Sequence, residues 1–242
     1  MWRLKRLTPK AIILAFLGTI IVLASLWWVL GGHFSGWRGY RDHRLSRLDG
    51  WHSISGNWSL SNNVISNAHY GRGDMLIASS FRGNNYKIAA DLRFDLLFPE
   101  THYGDAGLVI RVSDPQRGVD SYRGYYAGLR PDSQTLVLGR ASYDWLTLKE
   151  LPLAVPVAKN EWYHIELSAR GCDLSVEARP IPDGPPTRID YHDANCLTDG
   201  MGGLRSFYTQ ASWRSVTMTL SDRANGSALR GSQPSGSPNA GQ

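Results

Sequence analysis

The sequence predicts an all-β protein, a jelly-roll sandwich of two antiparallel sheets, preceded by one N-terminal transmembrane helix. Two observations predict the sandwich. Short stretches of alternating apolar and polar residues follow one another between residues 48 and 222, and turns rich in Gly, Asn, Asp and Pro separate them. No stretch in this range shows the period of about 3.6 residues that marks an amphipathic helix. The third observation, an apolar run near the N-terminus, predicts the transmembrane helix.

Residues 11–30 are the predicted membrane anchor, because Thr19 and Ser25 are their only polar members and about 20 such residues span a bilayer. Four basic residues and no acid occur in residues 1–10, so the positive-inside rule predicts a cytoplasmic tail there. The domain would then lie on the periplasmic or extracellular side. A signal peptide cleaved after Ala24 is the alternative, but the apolar run continues past that residue.

The remaining segments follow from composition. Residues 31–47 are rich in Gly and Arg and are predicted to be a linker, and residues 48–222 are predicted to form the sandwich domain. Residues 223–242, mostly Ser, Gly, Pro, Asn and Gln, are predicted to be a disordered tail. The formal charge is +5, but four basic residues and no acid fall in the first thirty residues. The domain therefore lacks the basic stripe that binding of nucleic acid requires.

Twelve segments of the domain are predicted strands, in chain order: 51–60, 63–67, 75–81, 86–97, 106–112, 122–129, 135–141, 145–151, 161–169, 173–178, 202–208 and 213–220. Residues 178–190 contain four prolines, which cannot donate to a ladder, so they are predicted to be an edge-side connection. Cys172 and Cys196 are the only cysteines, and in an exported domain a disulfide between them is expected. Two unpaired buried cysteines are the alternative.

The order of several motifs resembles the concanavalin A-like lectin/glucanase superfamily. These motifs are DGWHSISGNWSLSNNVI, GDAGLVIRVSD, YRGYYAGL, LVLGRA, NEWYHIELSARG and GGLRSFYTQASWRSVTM. They are similar to laminin G-like and 3-keto-disaccharide hydrolase-like jelly rolls, and to the fructan-binding modules of levanases. The resemblance implies two antiparallel sheets that bind sugars or peptides on a concave side or at a loop rim. Some members hold a structural calcium ion, although no compact run of carboxylates marks one here; no other cofactor is expected.

The predicted binding surface lies on the strands between Asp105 and Leu148. Strand alternation puts Ala106, Leu108, Ile110 and Val112 on the core face, with Val109 and Arg111 on the other. Stacking on a sugar ring needs exposed aromatic faces, and arginine supplies rigid hydrogen-bond donors. The candidate ligand-binding residues are Asp105, Arg111, Tyr122, Tyr126, Arg140, Trp145 and Arg205. Gly124 and Gly128 would leave a trough beside Tyr126. The alternative is that the tyrosines are packing residues and the arginines a solvated outer face.

Catalytic and metal signatures are weak. The Glu-x-Asp-x-x-Glu pattern of related glucanases is missing, and Glu161 and Glu166 point to opposite faces of one strand. No histidine spacing predicts a metal site. The sequence therefore predicts a membrane-tethered, exported carbohydrate-binding domain. Two alternatives stay open: a glycoside hydrolase of the 3-keto-disaccharide hydrolase-like type, with Asp105 or Glu100 as acid or base, and a laminin G-like protein-interaction domain.

Overall fold

A computed structural model describes residues 48–97 and 103–221, and its regular elements there are all β-strands. The strands are β1 (Trp51–Ser55), β2 (Trp58–Ser61), β3 (Val64–Asn67), β4 (Asp74–Gly83), β5 (Tyr86–Leu96), β6 (Asp105–Ser113), β7 (Arg123–Arg130), β8 (Thr135–Ser142), β9 (Trp145–Pro152), β10 (Trp162–Arg170), β11 (Asp173–Pro180), β12 (Thr187–His192), β13 (Gly200–Phe207) and β14 (Gln210–Leu220).

The strands form two seven-stranded antiparallel sheets. Sheet A has the order β1-β4-β13-β6-β7-β8-β9, and sheet B has the order β12-β11-β10-β5-β14-β3-β2. Hairpins join neighbours such as β6, β7, β8 and β9, whereas β4 to β5 and β13 to β14 pass from one sheet to the other. The predicted sandwich of two antiparallel sheets is confirmed for the described residues.

The main core lies between the sheets and follows the strand alternation. Ala106, Leu108 and Ile110 of β6 point inward and are fully buried, as the sequence predicts. The facing layer from sheet B includes Ile88, Leu92, Ile165, Leu167 and Trp213. Burial of aliphatic and aromatic side chains from both inner faces is the main force that holds two sheets together.

Two predicted segments differ from the observed strands. Residues 51–60 divide at Gly56, which has φ of 102°, so that β1 joins sheet A and β2 joins sheet B. Gly56 allows the chain to change sheets there because glycine tolerates positive φ. The second half of the proline-rich connection is a strand, β12, at the edge of sheet B. It begins directly after the last proline, Pro186, as an edge strand can.

A disulfide between Cys172 and Cys196 confirms the predicted pairing. Cys172 lies in the β10–β11 turn and Cys196 in the β12–β13 connection, so the bond fixes that connection to the sheet B hairpin. In the stretches 48–97 and 103–221, no helix is long and apolar enough to cross a bilayer. The predicted tail, anchor and linker of residues 1–47 and the predicted C-terminal tail lie outside the described residues.

Candidate functional site

The outer face of sheet A carries a second, smaller apolar cluster. Its buried members, here called the outer cluster, are Met75, Ile77, Val109, Val112, Tyr122, Tyr126, Val137 and Ala141. Tyr122 belongs to the β6–β7 connection, residues 114–122, which folds back across the strands of sheet A. The apolar outer positions of sheet A are therefore covered by the chain itself and do not form an open stacking surface.

The rings of Tyr122 and Tyr126 are about 1% exposed, so the predicted stacking of a sugar on either ring is wrong. The predicted glycine trough is filled by the same rings. A Cβ added at Gly128 would lie 2.0 Å from the Tyr126 hydroxyl, and one at Gly124 would lie 3.1 Å from the Tyr122 ring. These glycines make room for aromatic side chains of this chain, which pack flat on the sheet.

Arg205 of β13 is the centre of a buried polar cluster beside the outer cluster. Only 4% of the residue is exposed, and its guanidinium donates to the Asp105 carboxylate at 3.2 Å and to Asp120 at 2.8 Å. The Tyr126 hydroxyl donates to the same Asp105 oxygen at 2.6 Å, and the guanidinium lies 4.7 Å from the centre of the Tyr126 ring. Three strands and the β6–β7 connection thus meet at one guanidinium.

Burial is the largest influence on the pKa values of Asp105 and Tyr126 in this cluster. It raises the pKa of the Asp105 carboxyl above its usual value, although Arg205 and the hydrogen bond from Tyr126 both act in the opposite direction. Burial and the neighbouring Asp105 charge raise the pKa of the Tyr126 phenol well above its usual value. Desolvation acts to lower the pKa of Arg205, but nearby tyrosine and aspartate oxygens outweigh it and raise the pKa. The guanidinium therefore stays charged.

A cavity of about 380 Å³ opens beside this cluster on the outer side of sheet A. Four of the predicted site residues line it together: Asp105, Tyr126, Trp145 and Arg205. The other lining residues are Tyr103, Gly104, Val119, Asp120, Arg130, Asp132, Ser133, Glu150 and Phe207. We call this cavity the Arg205 pocket. Its volume falls in the range of pockets that hold small ligands.

Aromatic rings form part of the wall of the Arg205 pocket. Trp145 packs edge to face on Tyr126 with centroids 5.9 Å apart, and its indole N–H donates to Thr147 at 2.9 Å. Tyr103 is 44% exposed and packs edge to face on Phe207 at 5.8 Å. Trp145, Tyr103 and Phe207 are only partly buried, so their rings, unlike that of Tyr126, can contact a ligand.

The pocket lining also includes a second ion pair. Arg130 donates to Glu150 at 3.1 Å, and the Thr135 hydroxyl donates to the other oxygen of Glu150. Asp132 follows in the β7–β8 turn and is exposed. The pocket therefore combines fixed charges with open rings, an arrangement that can hold a polar ligand with apolar faces.

The structure places Arg111 away from the Arg205 pocket and corrects its predicted orientation. Arg111 has φ of 55°, and the pairing of β6 with β7 and with β13 shifts there, so a bulge interrupts the alternation. Val112 consequently lies in the outer cluster and not in the core, contrary to the prediction. The Arg111 guanidinium donates to the backbone carbonyls of Asn84 and Leu197, which belong to two connections at one end of the sandwich.

Arg140 also lies outside the Arg205 pocket. It pairs with Tyr125, an inward-facing core residue, across the β7–β8 ladder and donates to Asp193 at 2.8 Å and to the Asn195 carbonyl at 2.9 Å. The Tyr125 hydroxyl donates to the same carboxylate at 2.7 Å. Arg140 therefore fixes the connection that holds Cys196 and does not line the Arg205 pocket.

Sequence reasoning missed Asp120, Arg130, Asp132 and Glu150. The sequence could have predicted Arg130, because strand alternation places Tyr126, Gly128 and Arg130 on one face of β7. Asp120 gives no such signal, since it lies in a connection whose path over sheet A no local pattern specifies. In the two described ranges, no group of three or more His, Cys, Asp or Glu side chains is placed to hold a metal.

No family model matches the chain, and no curated protein matches it. Solved structures do. The carbohydrate binding module CBM66 from Bacillus subtilis is 19% identical with a TM-score of 0.57 over 70% of this chain and 94% of that chain. The protein has the concanavalin A-like jelly-roll fold. A protein with a galectin-like fold, also from Bacillus subtilis, is 13% identical with a TM-score of 0.56 over 72% of this chain and 91% of its own.

The exoplasmic/lumenal domain of VIP36, in a form bound to Ca²⁺ and Man3GlcNAc, is a further example of this concanavalin A-like fold. It is 11% identical, with a TM-score of 0.53 over 72% of this chain and 86% of that chain. At such identities the likeness is one of fold, and the function of this jelly roll has to be argued from its own residues.

Proposed function

We propose that this domain binds carbohydrate noncovalently in the Arg205 pocket. The observation that carries the proposal is the meeting of open aromatic rings, Trp145, Tyr103 and Phe207, with fixed polar groups in one cavity of about 380 Å³. Sugars present an apolar ring face and a rim of hydroxyl groups, so they are recognised by this combination of stacking and directed hydrogen bonds. The names of the structural neighbours, a carbohydrate binding module among them, support the same class of ligand.

The rigidity of the pocket supports binding of a polar ligand. Arg205, Asp105 and Tyr126 are held by three mutual contacts, and Arg130 is held by Glu150, so these groups need little reordering when a ligand arrives. Preorganised groups lose little conformational entropy on binding. Hydroxyl groups of a sugar can donate to the carboxylates that line the cavity, because a carboxylate has about four acceptor positions and the ion pairs use only some of them.

The test is a glycan array followed by calorimetric titration of the full chain with the sugars that bind. Trp145→Ala should weaken binding about tenfold, because it removes the stacking surface. Trp162→Ala is the matched control. Trp162 is also partly buried and has the guanidinium groups of Arg93 and Arg214 at 4.8 and 4.2 Å from its ring centre, but it is on the outer face of sheet B. Equal losses in the two variants, or binding to no sugar, would contradict the proposal.

A hydrolase needs a carboxylic acid and a carboxylate that are free to act on the glycosidic bond. Asp105 and Asp120 are instead both bound to the Arg205 guanidinium. This pairing favours binding over turnover. To test for hydrolysis, each sugar that binds is incubated with the full chain and the released product is measured. If product accumulates with the unsubstituted chain but not with Asp105→Asn, the domain is a hydrolase.

We further propose that residues 11–30 tether the domain to a membrane, with the sandwich on the periplasmic or extracellular side. The apolar run and the basic residues before it support this arrangement. Fractionation of cells that express the chain should recover it in the membrane pellet, and protease added outside the membrane should digest the domain. Recovery of the whole chain in the soluble fraction would contradict the tether.

A further inference from the structure

The Arg205 pocket has more acids than bases. Asp105, Asp120, Asp132 and Glu150 line it, against two basic residues, Arg130 and Arg205. Both guanidinium groups are already bound to carboxylates of the pocket: Arg205 to Asp105 and Asp120, and Arg130 to Glu150. The protein therefore neutralises its own cations and leaves an excess of negative charge facing the cavity.

Asp132 is the acid that remains after this pairing. Its carboxylate is exposed at the β7–β8 turn, beside the Tyr103 phenol, whose pKa burial raises and the charge of Asp132 raises further. Among the residues in 48–97 and 103–221, Asp132 makes neither an ion pair nor a side-chain hydrogen bond. A lining carboxylate of this kind offers acceptors and charge to a ligand without first giving up a protein partner.

Resting on the proposed carbohydrate binding, we propose that the Arg205 pocket selects amino sugars with a free ammonium group over neutral sugars, and excludes acidic sugars. The ammonium binds the Asp132 carboxylate and also faces the rings of Tyr103 and Phe207, which attract cations. A uronic acid or sulfated sugar would bring a further negative charge to a cavity that already has an excess of carboxylates, and both guanidinium groups there are already paired with carboxylates. Like charges brought together at an interface oppose binding.

The opposite selectivity requires a different arrangement. Sites that recognise carboxylate or sulfate groups present arginine side chains whose paired N–H groups are open to the ligand. Arg205 is 4% exposed, and its two Nη groups donate to Asp105 and Asp120, so an acidic sugar that is to pair with them would have to displace both carboxylates. Its Nε is buried and has no partner among the described residues, so it does not offer an open N–H to the cavity. The ion pairs thus act against acidic ligands, although the pocket contains two arginines.

The experiment is calorimetry of the full chain at pH 6 with matched sugars in the gluco, galacto and manno series. Each series consists of the parent sugar, its 2-amino-2-deoxy derivative and its uronic acid. We expect the amino derivative of the series that binds to have a Kd about fivefold lower than the parent. The uronic acid should give no heat of binding. Raising the salt concentration should reduce the difference between the amine and the parent, because salt screens exposed charges.

Asp132→Asn is the decisive variant. It keeps a residue that suits the turn and removes the charge, so the amine and the parent should bind with equal Kd, whatever the Kd of the parent becomes. Asp183→Asn is the matched control, because Asp183 is an exposed carboxylate in the β11–β12 connection, outside the pocket. It should leave the selectivity unchanged.

The two proposals fail in different ways. Binding of no sugar in any series would overturn carbohydrate binding in this pocket and the selectivity with it. Binding of the uronic acid as tightly as of the amine would overturn only the selectivity. An amine preference that persists in Asp132→Asn, with the variant melting at the temperature of the unsubstituted chain, would also overturn it.

Discussion

Arg205 and Arg111 lie on the paired strands β13 and β6, and both are buried, yet they have different surroundings. Arg205 donates to carboxylates that line a cavity. Arg111 donates to the backbone carbonyls of Asn84 and Leu197 and closes the end of the sandwich. The N–H groups of Arg111 are therefore bound to backbone carbonyls and are not offered to a ligand. A buried arginine therefore indicates a binding site only when its acceptors are groups that a ligand can also reach.

Replacing Arg205 should have the largest effect. Arg205→Met leaves Asp105 and Asp120 buried without their partner, and removal of one partner of a buried ion pair costs about 4 kcal/mol. Urea unfolding would measure the loss, and sugar binding should be lost with it. Arg205→Met combined with Asp105→Asn should recover part of the stability, since one unpaired charge is then absent. No recovery would show that packing, and not charge, holds Arg205 in place.

Removal of the disulfide should affect the Arg111 side of the molecule and not the pocket. Replacing both Cys172 and Cys196 by Ser opens a loop with a sequence separation of 24 residues and should cost about 3 kcal/mol. Leu197, which accepts from Arg111, is adjacent to Cys196. At temperatures where the variant is folded, its Kd for sugar should equal that of the unsubstituted chain. A weaker Kd would mean that the two regions are coupled.

Arg111→Met should lower the free energy of unfolding by about 2 kcal/mol, because the hydrogen bonds from the buried, charged guanidinium to the Asn84 and Leu197 carbonyls are lost. Sugar affinity should stay unchanged, in contrast to the Arg205 variant. Arg82→Met is the control: Arg82 is 58% exposed in its pair with Asp199, and exposed pairs contribute little to stability. If the two variants are equally stable, the buried donors of Arg111 do not support the fold.

The smallest effect concerns pH. Burial raises the pKa of Asp105 in the folded protein, so the folded state holds this proton at pH values where the unfolded chain has released it. The stability from this group is therefore complete below its usual pKa of 3.8 and is lost as pH rises through the folded value. Relative to Asp105→Asn, the unsubstituted chain should become less stable as pH increases through that window, as measured by urea unfolding. The opposite slope would mean that Arg205 outweighs burial.

The same comparison shows how far the sequence predicts the structure. Regular alternation correctly places Leu204 in the core and Arg205 on the outer face. It fails at Arg111, because a bulge changes which side chain points outward and a bulge of this kind has no glycine to mark it. It puts Tyr126 on the correct face of β7 but does not show that this ring and the ring of Tyr122 are buried. The cover over their rings is the β6–β7 connection, and its path depends on long-range packing and on the Asp120 contact with Arg205.

We propose that ligand binds on the sheet A side, in the pocket beside Arg205. The most direct measurement follows the indole N–H signals of Trp145 and Trp162 by nuclear magnetic resonance during titration with a sugar that binds. Trp145 lines the pocket, whereas Trp162 lies on the outer face of sheet B. We expect the Trp145 signal to shift in proportion to saturation while the Trp162 signal stays in place. A shift of the Trp162 signal with Trp145 unchanged would mean that the ligand binds on sheet B instead.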